Sequence, residues 1–526
     1  MSASIREPKA LFSDAGRTAA RLTRAEVLIL AGFAAARVVL HLLTNGRYGY
    51  FRDEFYYLAC ADHLAWGYVD HPPLSIGVLA LTRAVLGTSI QAIRLPVVLA
   101  GGATVALAGL TARAMGGGRF AQALACLTVL AAPVFLAMGT FFSMNAFDQL
   151  FWTLGAYLLV RIITTGNPRL WLWFGVVAGL GLLNKISMAF FGFGIVVGLL
   201  ATRQRRRFAS GHLWLGGLIA LLLFLPHVGW QIRHGWPTLE FIHHATQHKI
   251  TVSSPLAFLG AQGLLLSPLS APIWVAGIVY GLIGRDGRRF AVLSVAYLVV
   301  LGLFLVTNAK TYYLSPAYPM LLALGAVWLA RVTAARRWIR PVAFGVLLAG
   351  GAALVPMGLP ILDPQTYPRY ESALGLAPPV EERGPVGPLP QHFADRFGWQ
   401  EFVDTVAGAY HALDEPDRRR CAVVTSNYGE AGAIDLLGPA RGLPPAVCPY
   451  NNYFLWGPRR FTGDVALACI HDSRMPWLEE QFDEVTEVAR FRHPLVMPYQ
   501  DDRPLCLCRG LKTPVEQFWQ SIRSFH

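Results

Sequence analysis

The sequence predicts an α-helical polytopic membrane protein of about eleven transmembrane helices, followed by a small C-terminal α/β domain. Three observations carry the prediction. The 526 residues are 54% hydrophobic and 15% charged, with a mean hydropathy of +0.42, whereas soluble globular chains carry about 25% charged residues. The apolar residues fall in blocks of about 20, the length a helix needs to cross hydrocarbon. Past residue 362 the blocks stop, and a Pro/Gly-rich tract gives way to alternating strand and helix patterns.

Residues 1–24 are polar and basic (Arg6, Lys9, Arg17, Arg21, Arg24) and precede an apolar stretch long enough to anchor. They predict a retained cytoplasmic segment rather than a cleaved leader. Spanning helices are expected at 25–43, 91–115, 119–138, 145–165, 168–184, 186–202, 212–230, 257–284, 289–307, 313–333 and 339–361. With the N-terminus inside, Arg113 and Arg119, Arg161 and Arg169, Arg203 to Arg207, Arg285 to Arg289, and Arg331 to Arg340 all fall on the cytoplasmic side, as basic loop residues normally do. The net charge of +13 therefore records topology, and a nucleic-acid partner is not expected. A multi-pass protein of the cell (inner) membrane, with its C-terminal domain extracytoplasmic, follows from this count.

Three stretches depart from simple spans. Residues 73–87 are apolar but short and follow Pro72-Pro73, so they predict an interfacial helix on the outer face. Pro268 and Pro272 predict a kink or break within 257–284. Asn184-Lys185 interrupts the 168–202 stretch and is placed at an outer turn.

The C-terminal part reads as a linker over 363–395 and an α/β domain over 396–526. Within it CAVVTSNYG, VALACIHD and DEVTEVARFRH predict strands, and a helix is expected from Glu430. Cys421, Cys448, Cys469, Cys506 and Cys508 lie in this domain without a metal-ligand CxxC pattern. In an extracytoplasmic domain they predict one or two structural disulfides.

The chemistry-bearing residues gather on the predicted outer side, between the apolar ends of the bundle (25–362). The loop 44–90 contains GRYGYFRDEFYYLACADHLAWGYVDHPPL, which packs Arg52, Asp53, Glu54, Asp62, His63, Asp70 and His71 among aromatics. Ionisable groups held against an apolar interface are costly and point to function; the bland alternative is a loop stabilised by its own ion pairs. The same face receives Asn145 and Asp148, Asn184-Lys185, His227, and Asn308 with Lys310. Asp148 alone is also what a helix dipole favours in a first turn. Lys185 and Lys310 each have a snorkelling alternative, yet two lysines on one face suit binding of a phosphate. Carboxylates, lysines and histidines converging on one side fit an enzyme, which needs acid, base and anion-binding groups together. A transporter or flippase of a lipid-linked precursor is the alternative; it predicts mid-bilayer polar residues and inverted repeats, and neither stands out.

The motifs Arg52-Asp53-Glu54-Phe55-Tyr56-Tyr57 and Trp66-Gly67-Tyr68-Val69-Asp70-His71-Pro72-Pro73-Leu74 resemble the GT-C superfamily of polytopic glycosyltransferases. The likeness is to the family 39-like branch of protein O-mannosyltransferases and aminoarabinose transferases. It extends to about residue 335 through SMNAFDQLFW, GLLNKISM, WQIRHGWPTLE and AKTYYLSPAYP. The resemblance implies a GT-C fold and transfer of a sugar from a polyprenyl-phosphate donor to a lipid, glycan or protein acceptor, with membrane lipids as surroundings. It implies Asp53, with Glu54 beside it, as the catalytic pair, and Asp70 as the second acidic position. Arg52, His71, Lys185 and Lys310 would hold the donor phosphate, His71 standing where aminoarabinose transferases carry a lysine. Asn145 stands where many relatives have an aspartate, with Asp148 one turn on. Some relatives bind a divalent metal ion near the second acidic motif; Asp70 and His227 are the corresponding candidates. Extensions like the C-terminal domain occur on some relatives, and two roles stay open for it: receiving the acceptor or covering the site.

Overall fold

The structure is a computed structural model that describes residues 21–249, 251, 254–376 and 385–525. The polar segment 1–20 and the middle of the expected linker lie outside the described residues.

Every one of the eleven apolar stretches is helical. Seven helices are long and apolar enough to cross a membrane: Arg24–Thr44, Ile90–Ala114, Met144–Thr165, Gly211–Arg233, Gly287–Val306, Thr311–Val332 and Ile339–Gly358. Two bent pairs bring the count among the described residues to as many as nine. In one of them, Pro255–Leu266 and Pro268–Ile283 meet at 97°. Ser267 between them takes φ +75° and the prolines remove the donors that a continuous helix would need, so the expected break is present. The remaining two stretches are shorter. Leu170–Asn184 has 15 residues, and the 119–138 stretch divides into Arg119–Leu130 and Pro133–Met138, with Pro133 opening the second piece. Leu74–Leu86, the expected interfacial helix, has 13 residues, about 20 Å at 1.5 Å per residue, too short to span.

The first span starts with a capping box. Thr23 accepts the Glu26 N–H at 3.3 Å and the Glu26 carboxylate accepts the Thr23 N–H at 2.8 Å. Glu26 then pairs with Arg113 at 2.8 Å, joining this helix start to the end of Ile90–Ala114. Other arginine-rich connections meet at the same end of the bundle: Arg289 donates to the Met115 carbonyl at 3.0 Å, and Gln204 to the Arg289 carbonyl at 3.2 Å. Arg331 pairs with Asp286. The acidic motifs lie at the opposite helix ends.

The C-terminal region holds a four-stranded sheet of order β1-β2-β4-β3. β1 (Cys421–Val424) pairs with β2 (Val465–Cys469) in parallel, and the other two pairings, with β3 (Phe482–Phe491) and β4 (Arg503–Leu511), are antiparallel. Three strands match the sequence expectation. The fourth, RPLCLCRGL, is buried over its first six residues and was not expected, because a charged end and an intervening arginine break its alternation. The expected disulfides are not formed. All seven cysteines are buried free thiols; Cys506 and Cys508 sit two apart on one strand and so face the same side, packed into the apolar cluster behind the sheet.

Candidate active site

The helix Arg52–Asp62 carries the first acidic motif, and its two carboxylates have opposite environments. Glu54 is fully buried and accepts four hydrogen bonds: from Arg94 Nε at 2.7 Å, Arg94 Nη2 at 2.6 Å, the Phe142 N–H at 2.7 Å and the Phe51 N–H at 2.8 Å. Its lone pairs are occupied, so Glu54 fixes the helix rather than facing a reactant. Arg94, a charged residue inside an otherwise apolar span, was missed in the sequence; its intramembrane position was the signal. Asp53, one residue earlier, has a side chain 30% exposed. Its Oδ1 accepts from Tyr428 Oη at 3.1 Å and lies 3.6 Å from Arg52 Nε.

Arg52 is buried and reaches toward the C-terminal region. It donates to Tyr499 Oη, lies 3.6 Å from the buried Asp395 carboxylate, and stacks over the rings of Tyr428 and Tyr499 at 5.6 Å each. Tyr499 in turn donates to Asp395 at 2.8 Å. The guanidinium therefore works as a bolt between two parts of the chain, not as an open phosphate ligand.

The second acidic motif packs beside the first. Tyr56 Oη donates to Asp70 Oδ1 at 2.8 Å, and His71 Nε2 lies 3.9 Å from the same oxygen. Burial raises the Asp70 carboxyl above its usual range, against the lowering pull of His71 and of the Tyr56 hydroxyl. His71 is fully buried against Tyr56, Tyr57 and Tyr68, with ring centroids 6.0, 5.1 and 4.8 Å away. Its Nδ1 is 3.0 Å from the Pro72 carbonyl oxygen and its Nε2 has no hydrogen bond. It backs Asp70 and does not open to the surface.

His227 is buried 161 residues along the chain from Trp66. Its Nδ1 lies 3.1 Å from the Trp66 carbonyl oxygen and its Nε2 3.4 Å from the Gln231 amide nitrogen. With both ring nitrogens engaged, His227 does not fit as a metal ligand beside Asp70, and no group of three His, Cys, Asp or Glu among the described residues could complete such a set.

The lysine cluster forms where Met144–Thr165 begins and Leu170–Asn184 ends. Lys185 Nζ donates to Asn145 Oδ1 at 2.7 Å, lies 3.7 Å from Asp148 Oδ2, and sits 4.4 Å from the centre of the Tyr313 ring. Ser187 holds the other Asp148 oxygen at 2.7 Å. Asn184 donates to the Met144 carbonyl at 2.9 Å and locks the turn. Lys310 caps the 3₁₀ segment Thr311–Ala317 that carries Tyr313 and is partly buried. Phe142 connects this cluster to the acidic one: its N–H binds Glu54, its ring lies 6.2 Å from Tyr57, and Asn145 follows three residues later. The structure thus brings Asp53, Glu54, Asp70 and His71 together and sets Asn145, Asp148 and Lys185 next to them. Ser187, Tyr313, Tyr428, Asp395 and Tyr499 join these groups only in three dimensions.

A family model described as dolichyl-phosphate-mannose-protein mannosyltransferase matches residues 70–230. No curated protein matches the chain in sequence. The structure is similar to ArnT from Cupriavidus metallidurans, both in the apo state and bound to undecaprenyl phosphate. Each comparison gives a TM-score of 0.62 at 16% identity over 92% of this chain and 98% of that one. It is also similar to the archaeal oligosaccharyltransferase AglB from Archaeoglobus fulgidus, in complex with an inhibitory peptide and a dolichol-phosphate, with a TM-score of 0.50 at 12% identity over 86% of this chain and 70% of that one. The chain has the GT-C fold of these polytopic membrane glycosyltransferases, with a small C-terminal sheet region.

Proposed function

We infer that this chain is a membrane glycosyltransferase that moves a sugar from a polyprenyl-phosphate donor to a lipid, glycan or protein acceptor on the extracytoplasmic side of the cell membrane. The observation that carries the reading is the contrast within Asp53-Glu54: one carboxylate fully tied down, its neighbour partly open on the helix so fixed. That is how a positioned base is built. Asp53 takes the proton of the acceptor nucleophile as the acceptor atom bonds to the anomeric carbon. The bond from that carbon to the phosphate oxygen breaks, and its electron pair leaves with the polyprenyl phosphate. Lys185 and Lys310 supply positive charge to the leaving phosphate, with Asn145 and Asp148 setting the Lys185 ammonium. Asp70, held by Tyr56 and beside His71, lies close enough to Asp53 to feel its charge. ArnT bound to undecaprenyl phosphate supports a lipid-phosphate donor. The arginine-rich helix ends support the orientation, because such loops stay cytoplasmic and the acidic motifs lie at the other ends.

The test uses the purified full chain in proteoliposomes with undecaprenyl-phosphate mannose, arabinose and aminoarabinose as donors. Release of undecaprenyl phosphate with transfer of labelled sugar to a membrane extract is expected for one of them. Movement of intact donor across the bilayer without cleavage would replace this reading with that of a flippase.

A further inference from the structure

The C-terminal region reaches Asp53 itself through the side chain of Tyr428. Tyr428 opens the helix Tyr428–Leu437, and its hydroxyl donates to Asp53 Oδ1 at 3.1 Å. The Arg52 contact falls on the same oxygen. Among the described residues both contacts fall on Asp53 Oδ1 and none on Oδ2, so they define which oxygen is held. The carboxylate would otherwise turn about its own bond, since this torsion is broad and nearly two-fold.

The helix bearing Tyr428 lies unusually close to Arg52–Asp62, and glycines permit it. A Cβ on Gly429 would stand 2.3 Å from Arg52 Cγ, and one on Gly432 would stand 2.7 Å from the Phe55 carbonyl carbon. The Tyr428 ring is set between Tyr56, 4.8 Å away, and the Arg52 guanidinium, 5.6 Å away. Its backbone is fixed by Asn427, whose Oδ1 accepts the N–H groups of Gly429 and Glu430 at 3.0 Å each. A second contact from the C-terminal region reaches the other acidic motif: Asn452 Oδ1 accepts the Val69 N–H at 2.7 Å and lies 3.2 Å from the Tyr56 hydroxyl that serves Asp70.

We propose that Tyr428 is a positioning residue of the transfer site: its hydroxyl holds Asp53 Oδ1 so that Oδ2 meets the acceptor, and the C-terminal α/β region thereby completes the active site. The inference rests on Asp53 being the base. The titratable groups near Asp53 are Arg52, Tyr428 and, at longer range, Tyr57 and Asp70.

The test is Tyr428→Phe in the full-length protein, which keeps the ring and its stacking and removes only the donor. Turnover is measured with whichever undecaprenyl-phosphate sugar the wild type cleaves, alongside melting temperature and Asp53→Asn. The expected result is a fall in kcat of about tenfold, the size of one hydrogen bond to an ionised group. The donor KM and melting temperature stay unchanged, so the loss falls on kcat alone. Tyr428→Phe with kcat within about twofold of wild type, while Asp53→Asn is inactive, overturns the positioning role and leaves the base intact. A loss of rate that merely follows a loss of melting temperature also overturns it. Full activity of Asp53→Asn overturns the underlying reading instead.

Discussion

At the scale of single residues, the buried ion pair beside Asp53 holds the helix that carries it. Glu54 and Arg94 form a buried pair with no exposed surface on either side chain, and removing one partner of such a pair costs about 3–5 kcal/mol because the other charge is left uncompensated. Glu54→Gln is therefore expected to lower the melting temperature steeply and to reduce the yield of folded protein, measured by thermal unfolding in detergent. Asp70 gives a pH prediction. Its carboxyl is raised in the fold by burial, so the neutral form is the one the structure prefers. The stability this contributes is fully present below the unfolded carboxylate range, about pH 3.9, and is lost as pH rises through the raised folded value. Asp70→Asn should flatten the dependence of melting temperature on pH over that interval; an unchanged slope would show that Asp70 is not the group responsible.

At the scale of elements, the lysine cluster depends on two helix ends meeting. Asn184 pins the turn to the start of Met144–Thr165, and Lys185 then reaches Asn145 and Asp148. Lys185→Ala is expected to raise the donor KM by about tenfold or more, the loss of one charge-assisted contact to phosphate, and to lower the melting temperature because the buried Asp148 carboxylate loses its partner; the checks are a donor titration and thermal unfolding of the purified variant. Much of this was legible in the sequence. The apolar blocks, the break at Pro268, the short helix after Pro72-Pro73 and the turn at Asn184-Lys185 all reflect local rules of hydropathy and backbone geometry. What was not legible depends on contacts between distant segments. Glu54 and Asp53 are adjacent and chemically alike, and only Arg94 and the Phe142 N–H, 40 and 88 residues away, give them different roles. The resemblance implies Arg52 and His71 as phosphate ligands; in the structure Arg52 is buried against Tyr499 and His71 lies inside a cage of tyrosines.

At the scale of the whole molecule, the helical bundle and the C-terminal sheet region are joined at the 52–70 segment, which Tyr428, Tyr499, Asp395 and Asn452 all contact. Gly432→Val, which places a side chain against the Phe55 backbone, is expected to separate the two parts. Turnover should fall at least tenfold, while the bundle keeps its helical signal; retained turnover would show that their contact is dispensable. The proposed base for sugar transfer from a polyprenyl phosphate is Asp53. Its direct test is the rate of undecaprenyl phosphate release with sugar transfer by folded Asp53→Asn, at saturating donor and acceptor. A loss of about 100- to 10,000-fold is expected, the range for removing a general base, with donor binding preserved. Turnover within a few-fold of wild type would contradict it.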